Sequence, residues 1–239
     1  MKRALVTGGS GAIGSAICRE LAQHGLSVVV HAYRKKSAAE RVAKEIGQAG
    51  GGASVICFDV TDAAAVEREL ATVLEAGPIQ VLVNNAGIHD DAPMAGMSGK
   101  QWRQVIDVSL HGFFNVTQAL LLPMLKTRWG RIVAVSSITG MIGNRGQTNY
   151  AAAKAGLHGA CRSLALEVAS RGVTVNVVAP GIIESALAEQ TFKPEHIKTV
   201  VPMKRAGTPT EVAQLVGFLV SEKAAYISGQ VIGINGGMG

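Results

Sequence analysis

Cysteine pairs, metal-ligand clusters and aromatic side chains are all scarce in this sequence of 239 residues. The three cysteines, Cys18, Cys57 and Cys161, include no CxxC pair, so we expect free thiols in a reducing cytoplasm. The six histidines are scattered without an HExxH motif, so no metal site is expected. Aromatic residues make up only 4% and the basic residues are dispersed, which argues against a nucleic-acid partner.

Long apolar runs are also missing. No run approaches the ~18–20 residues that a membrane-spanning helix needs. Glycines interrupt the apolar stretch after Met1 too early for a signal peptide. The composition, with 48% hydrophobic and 17% charged residues, is typical of a globular protein, and we expect a cytoplasmic one.

The net charge of +6 is unevenly distributed along the chain. Residues 1–120 contain 11 basic and 11 acidic side chains, whereas residues 121–239 contain 12 basic and 6 acidic ones. A solvated basic surface and a docking face for an acidic partner both explain this excess. The composition alone leaves both interpretations open.

Short apolar segments alternate with longer segments of helical spacing. Val66, Leu70, Val73 and Leu74 share one helix face, and Tyr150–Ser170 indicates another long helix. The predicted strands are apolar throughout, as in a parallel sheet with helices on both faces. They are Ala4–Val6, Ser27–Val30, Ser54–Phe58, Val81–Val83, Arg131–Val135, Val173–Val178 and Val231–Ile234. This pattern predicts one α/β domain over residues 1–239, a right-handed, doubly wound parallel sheet of Rossmann type.

A glycine-rich loop follows the first predicted strand and precedes a helix. Glycines allow a sharp turn and a close approach to a pyrophosphate, which the free amides at the helix N-terminus attract. A Walker A loop is excluded because no Lys follows the last glycine in the required pattern. A tight turn without a ligand is the alternative, but the position in the chain favours a dinucleotide site. The predicted cofactor contacts are Gly8, Ser10, Gly11, Ala12, Ile13 and Gly14.

The end of the second predicted strand indicates which dinucleotide binds. An NAD-selective site usually has an Asp or Glu here, about 20 residues past the loop. The segment from Val30 to Lys36 has no carboxylate but contains Arg34 and Lys35. A guanidinium binds a 2′-phosphate through charge-assisted hydrogen bonds, whereas a carboxylate repels it. We therefore expect NADP(H), bound by Arg34 with support from Lys35; a solvated basic turn is the alternative.

Tyr150 and Lys154 are four residues apart in a predicted helix, so their side chains share one face. A free tyrosine has a pKa of about 10, too high for efficient proton exchange near neutral pH. A nearby ammonium stabilises the phenolate, so we expect Lys154 to lower the pKa of Tyr150. Ser136 and Ser137 end the preceding strand and supply a hydroxyl at the same sheet edge.

These motifs, in this order, resemble those of the short-chain dehydrogenase/reductase family along essentially the whole chain. Ser137, Tyr150 and Lys154 match the family's catalytic Ser, Tyr and Lys. Ser137 matches better than Ser136 because the family interval from Ser to Tyr is 13 residues. The resemblance implies further cofactor contacts, beside Tyr150 and Lys154, at Asp59, Val60, Asn85, Ala86, Gly87, Pro180, Gly181 and Ile183.

Within that family the chain most resembles the 3-oxoacyl-[acyl-carrier-protein] reductases. The segment Asn144–Gly156 and the tail Tyr226–Met238 are similar to theirs. The resemblance implies NADP(H) as cofactor, acyl carrier protein as partner and a homotetramer or dimer. It also implies that Arg128 and Arg171 hold the acidic carrier protein, in agreement with the basic C-terminal half. A solvated helix end is the alternative for each arginine.

Ser109 departs from the family pattern, which usually has a catalytic Asn at this position. In the family this Asn helps to hold a water that links the catalytic Lys to solvent. A serine offers one hydroxyl in place of an amide, so we expect Ser109 as a member of an altered proton relay. Asn115 is not a substitute, because six residues along a helix turn by ~240°.

The resemblance implies a mechanism for reducing a 3-oxoacyl thioester to the 3-hydroxyacyl thioester. Tyr150 donates a proton to the developing alkoxide, Ser137 hydrogen-bonds the carbonyl oxygen, and Lys154 binds the nicotinamide ribose. Residues 182–201 are predicted to form a substrate lid. A reductase of a small free ketone, alcohol or sugar and a non-catalytic NADP-binding sensor or partner subunit stay open. The pathway, fatty-acid or polyketide and polyene-type biosynthesis, also stays open.

Overall fold

Seven parallel strands form one sheet at the centre of the computed structural model, which describes residues 1–185 and 193–239. Their order is β3-β2-β1-β4-β5-β6-β7. The strands are β1 Arg3–Val6, β2 Ser27–Ala32, β3 Ala53–Cys57, β4 Val81–Asn84, β5 Gly130–Val135, β6 Val173–Pro180 and β7 Val231–Ile234. All seven predicted strands are confirmed with small boundary shifts, as is the doubly wound α/β class.

Helices cover both faces of the sheet. They are α1 Ala12–Gln23, α2 Lys36–Gln48, α3 Ala63–Glu75, α4 Gly99–Ile106, α5 Gly112–Lys126, α6 Thr139–Ile142, α7 Thr148–Val168, α8 Pro194–Val200 and α9 Pro209–Val220. Side chains of α1, α2 and α9 build the hydrophobic core on one face, and those of α3, α5 and α7 build it on the other. Because both faces are covered, β5 and β6 are buried along their whole length.

Local sequence explains where several helices begin. Asp62 caps α3 by accepting a hydrogen bond from the Ala65 amide at 3.0 Å. Thr208 and Glu211 form a capping box at the start of α9, followed by a proline at its first position. The predicted helix Tyr150–Ser170 begins two residues earlier, at Thr148, and ends at Val168 with a 3₁₀ turn over Ala169–Arg171.

One helical stretch passes a length and composition test for a membrane span. α4, a π-helical turn over Asp107–His111 and α5 run continuously over Gly99–Lys126, and this stretch is long and, on average, apolar enough to cross a membrane. The sequence prediction rested on the absence of unbroken apolar runs. This stretch is not such a run, and only its average hydropathy is high enough for a membrane span. Val116 and Leu120 pack in the core of one sheet face. A core helix of a soluble protein passes the same test.

The parallel arrangement places the ends of four strands at one edge. Gly8 follows β1, Asn85 follows β4, Ser137 follows β5 by two residues, and Gly181 follows β6. The strand order reverses between β1 and β4, and ligands of such sheets bind in the crevice at this switch point.

Candidate active site

The glycine-rich loop has the geometry of a phosphate cradle. Gly8 has a φ of +64°, and a Cβ on Gly14 would collide with the Gly8 carbonyl oxygen. Gly11 is the N-cap of α1, and no side chain caps the first-turn amides that follow at Ala12 and beyond. Free amides at a helix N-terminus bind a pyrophosphate, so this loop fits a dinucleotide. Ser10 lies within the loop, and Ile13 packs partly on the core.

The segment after β4 is tied to this loop. Thr7 Oγ1 accepts hydrogen bonds from the amides of Asn85 and Ala86, both at 2.9 Å. Asn85 Nδ2 donates to the carbonyl oxygens of Thr7 at 2.9 Å and Gly8 at 3.2 Å. Gly87 comes next, and a Cβ there would lie 3.1 Å from Lys154 Nζ. The structure therefore brings together three groups of residues that the sequence predicted separately.

His31 is a residue that sequence reasoning missed, although a histidine within the apolar strand β2 was a visible signal. It is buried, and its Nδ1 accepts a hydrogen bond from the Gly8 amide at 3.1 Å. Its Nε2 lies 3.0 Å from the Phe58 carbonyl oxygen, to which a neutral imidazole donates. Burial lowers the pKa of His31 to about 4. A neutral His31 thus connects the phosphate loop to the segment after β3.

We expect His31 to make the folded protein sensitive to acid. Its pKa in the folded state lies below the ordinary value of 6.5, so the unfolded chain binds more protons between pH 6.5 and about 4. The free energy of unfolding should therefore fall on the order of 3 kcal/mol as the pH falls through this window. Urea denaturation of the wild type and His31→Gln at pH 7 and 4.5 measures this contribution. An equal fall in both proteins would contradict it, and His111→Gln, at an exposed histidine, is the control.

The predicted cofactor contacts Arg34 and Asp59 lie just beyond the ends of β2 and β3. The Thr61 amide and hydroxyl donate to Asp59 Oδ1 at 2.9 and 2.8 Å, and Tyr33 lies close enough to the same carboxylate to act on its pKa. Although burial acts to raise it, hydrogen bonds from Thr61 and Tyr33 and the charge of Arg34 hold the pKa of Asp59 below its usual value. Arg34 Nη2 donates to the Tyr33 hydroxyl at 2.9 Å. Tyr33 is thus a second residue that the sequence did not single out.

Arg34 and Lys35 are both exposed, and Lys35 is the N-cap of α2. Val60, next to Asp59, is buried in the core under α5. The Arg34 guanidinium lies 4.6 Å from the centroid of the Tyr33 ring. The structure therefore places a cation and a phenol side by side where the 2′-phosphate was predicted to bind.

Ser137, Tyr150 and Lys154, the predicted catalytic residues, lie together at the sheet edge. The Ser137 hydroxyl lies close enough to Tyr150 to act on its pKa, and Ser137 Oγ accepts a hydrogen bond from the Thr139 amide at 3.1 Å. Lys154 is buried, and its Nζ donates to the Val135 carbonyl oxygen at 2.9 Å. The same nitrogen lies 5.6 Å from the centroid of the Tyr150 ring.

The pKa of Tyr150 shifts in the direction opposite to the prediction. Burial and the nearby charge of Asp91 raise the pKa of Tyr150, and the hydrogen bond from Ser137 only partly opposes them. Burial also lowers the pKa of Lys154 to about 8. The predicted lowering of the Tyr150 pKa is therefore wrong for this structure, because burial raises this pKa and Lys154, whose Nζ is bound to the Val135 carbonyl oxygen, does not offset it.

Ser109 lies in the π-helical turn between α4 and α5. It is buried, and its Oγ has no hydrogen-bond partner in the described part of the chain. A cavity of about 10 Å³ next to it is also lined by Thr7 and Asn84, and this is about the space that one water needs. Asn115 Nδ2 donates to the Val60 carbonyl oxygen at 2.9 Å, away from the catalytic groups, as the helix geometry predicted. A relay through Ser109 stays a prediction.

The turn after β6 packs against the residues that follow β5. The Ile138 amide donates to the Pro180 carbonyl oxygen at 2.8 Å, and a Cβ on Gly181 would collide with Asn235. Ile183 is buried. Within the predicted lid, residues 186–192 lie outside the described residues. The two described ends of the predicted lid, at Ile182 and Val201, line a cavity of about 370 Å³ together with Met203. Neither Ser137 nor Tyr150 lines this cavity.

The two arginines predicted to bind a carrier protein lie at the opposite edge of the sheet. Arg128 is two residues before β5 and Arg171 two residues before β6, and both are exposed. They are neighbours, because Arg128 Nη2 donates to the Ser170 carbonyl oxygen at 3.5 Å. β5 has six residues, so it separates Arg128 from Ser137 by about 20 Å.

A further group missed from the sequence is the acidic pair after Gly87. Asp90 accepts hydrogen bonds from Gln101 Nε2 at 2.9 Å and Gln104 Nε2 at 2.7 Å, which attach this loop to α4. Asp91 Oδ2 accepts from Gln147 Nε2 at 2.7 Å, just before Tyr150. Two adjacent carboxylates close after a strand were the available signal.

This fold and site define an oxidoreductase that uses a nicotinamide dinucleotide, and the chain belongs to the short chain dehydrogenase family, whose model matches residues 2–196. Three relatives share the name 3-oxoacyl-[acyl-carrier-protein] reductase FabG. The protein of Aggregatibacter actinomycetemcomitans is 42% identical and covers 98% of both chains. That of Escherichia coli K12 is 43% identical over 99% of this chain and 97% of its own. That of Staphylococcus aureus Mu50 is 44% identical over 99% and 98%.

Proposed function

We propose that this chain reduces the 3-oxo group of an acyl thioester on acyl carrier protein to a 3-hydroxy group, with NADPH as reductant. The observation that carries the proposal is the position of Tyr150, next to Ser137 and to the buried Lys154, at the same sheet edge as the phosphate loop. The names of the relatives support the substrate class. The reaction belongs to fatty-acid biosynthesis or to a related polyketide or polyene-type pathway.

The residues divide the work of the reduction. NADPH, when bound, supplies a hydride to the carbonyl carbon. Because its pKa is raised, Tyr150 is protonated near neutral pH and donates its phenolic proton to the oxygen that gains charge. Ser137 donates a hydrogen bond to the same oxygen. The Lys154 ammonium stabilises the phenolate that remains, an interaction strengthened by its dry surroundings.

The test of this proposal is NADPH consumption with an acetoacetyl thioester on acyl carrier protein, beside NADH, the free thioester and a simple ketone. Turnover with NADPH and a preference for the carrier-bound thioester support the proposal. Faster turnover of the simple ketone would favour a small-ketone reductase. NADPH binding without turnover of any probe would favour a non-catalytic sensor or partner subunit.

Arg34 is expected to determine the preference for NADPH. In Arg34→Ala, we expect the KM for NADPH to rise about tenfold or more and the KM for NADH to change less than twofold, because only NADPH has the 2′-phosphate that the guanidinium binds. Initial rates with each cofactor at saturating thioester measure the two constants. Arg41→Ala, at an exposed position of α2, is the matched control. Equal changes for both cofactors would contradict the assignment.

The carrier protein is proposed to dock at Arg128 and Arg171. Their exposure and proximity support this role, and the basic excess of the C-terminal half complements an acidic partner. These residues lie about 20 Å from Ser137 of their own chain. The acyl group of a carrier protein docked there must therefore pass around the sheet to this Ser137 or enter the active site of a second copy.

A homotetramer or dimer is also proposed, because Arg128 and Arg171 lie far from Ser137 of their own chain and because one face of the chain is apolar. Large apolar side chains are exposed on neighbouring helices of one face, with Phe114 at 60% and Leu122 at 69% on α5, and Leu166 at 85% on α7. Such a patch is typical of a protein interface, and sedimentation analysis measures the assembly. We also propose a cytoplasmic location, which the free thiols of Cys18, Cys57 and Cys161 support.

A further inference from the structure

His89 is an exposed side chain next to the catalytic phenol. It follows Gly87 by two residues, and its imidazole meets the Tyr150 ring edge-on, with ring centroids 6.4 Å apart and planes at 82°. Its side chain is 43% exposed, so it borders the open side of Tyr150 rather than the core. The motifs analysed from the sequence gave this residue no role.

A series of polar contacts links His89 to the catalytic serine. His89 Nδ1 lies 3.5 Å from Asp91 Oδ1, and the other oxygen of Asp91 accepts from Gln147 Nε2. Gln147 Oε1 accepts from the Thr139 hydroxyl at 3.2 Å, and the Thr139 amide donates to Ser137 Oγ. The imidazole and the Ser137 hydroxyl are therefore held at the two ends of one polar chain that passes beside Tyr150.

The orientation of the imidazole leaves one ring nitrogen for a ligand. Nδ1 faces the Asp91 carboxylate, and Nε2 has no hydrogen-bond partner among residues 1–185 and 193–239. In the imidazolium form both ring nitrogens donate, one toward Asp91 and the other away from it. In that form the Nε2 donor lies beside Tyr150 but outside the Ser137–Tyr150 pair.

A 3-oxoacyl thioester has a second carbonyl, one methylene group away from the carbonyl that is reduced. Ser137 and Tyr150 take the 3-oxo oxygen in the proposed function, on which this inference rests. We propose that His89 donates from Nε2 to the thioester carbonyl oxygen and so selects 3-oxoacyl thioesters over ketones that have no second carbonyl. Asp91 positions the imidazole for this contact.

The test compares His89→Ala, His89→Gln and the wild-type chain on acetoacetyl-N-acetylcysteamine and on 2-octanone, with NADPH. His89→Ala is expected to lower kcat/KM for the thioester about tenfold or more and to leave the rate with the ketone within about twofold. Gln keeps an amide donor, so His89→Gln is expected to stay within about threefold of the wild type. His24→Ala is the matched control, because His24 is 38% exposed and also pairs with a carboxylate.

Each other outcome overturns the inference in a distinguishable way. Unchanged kcat/KM in His89→Ala, or an equal loss in the Ala and Gln variants, contradicts a donor role while the proposed function stands. An equal loss on thioester and ketone shows that His89 acts through Tyr150 instead. A wild-type chain that does not turn over the thioester contradicts the proposed function, and the role of His89 falls with it.

Discussion

Tyr150→Phe is expected to lower kcat for the reduction of an acetoacetyl thioester by about 10³-fold, within the range of general acid catalysis. The variant keeps the aromatic ring beside His89 but loses the hydroxyl that lies near Ser137. Because the raised pKa keeps this hydroxyl protonated, its loss removes the only acid that we assign to the alkoxide. Steady-state kinetics at saturating NADPH measures the effect.

The affinity for NADPH should change little in Tyr150→Phe, which separates a loss of chemistry from a loss of binding. Tyr226→Phe is a control for the removal of a phenol, because Tyr226 is fully exposed. Retention of full activity by Tyr150→Phe would show that another group supplies the proton. The proposed mechanism would then have to be abandoned.

Replacement of Lys154 is the second large effect that we expect. Lys154→Ala should lower kcat by about 10²–10³-fold, because the phenolate formed on Tyr150 loses the ammonium that stabilises it in a dry site. Burial lowers the pKa of Lys154 to about 8, so the ammonium is lost as the pH rises through this value. In the wild type, kcat for the reduction is therefore expected to fall above about pH 8.

A kcat profile from pH 6 to about 10 tests this assignment, since it spans the Lys154 pKa of about 8. Lys154→Arg keeps a charge that does not titrate in this range, so the alkaline fall should weaken even if its maximal rate is lower. A wild-type profile that stays flat through pH 8, or the same alkaline fall in Lys154→Arg, would contradict a role for the Lys154 proton.

Local properties of this chain follow from its sequence, whereas its long-range properties depend on the fold. The spacing of Tyr150 and Lys154 predicted a shared helix face, and α7 places both side chains at one site. The length and direction of α7 follow from residues that are close together in the chain. The sign of the Tyr150 shift was predicted wrongly, because it depends on burial and on Asp91, which is 59 positions away in the sequence.

The sequence by itself determined the α/β class, the seven strands and the phosphate loop, because hydrophobic periodicity and glycine positions act over a few residues. Only the tertiary structure decided that His31 holds the phosphate loop and that His89 and Asp91 stand beside Tyr150. It also placed Arg128 and Arg171 at the opposite sheet edge from Ser137. These arrangements depend on strand order and on contacts between distant segments, which local patterns do not encode.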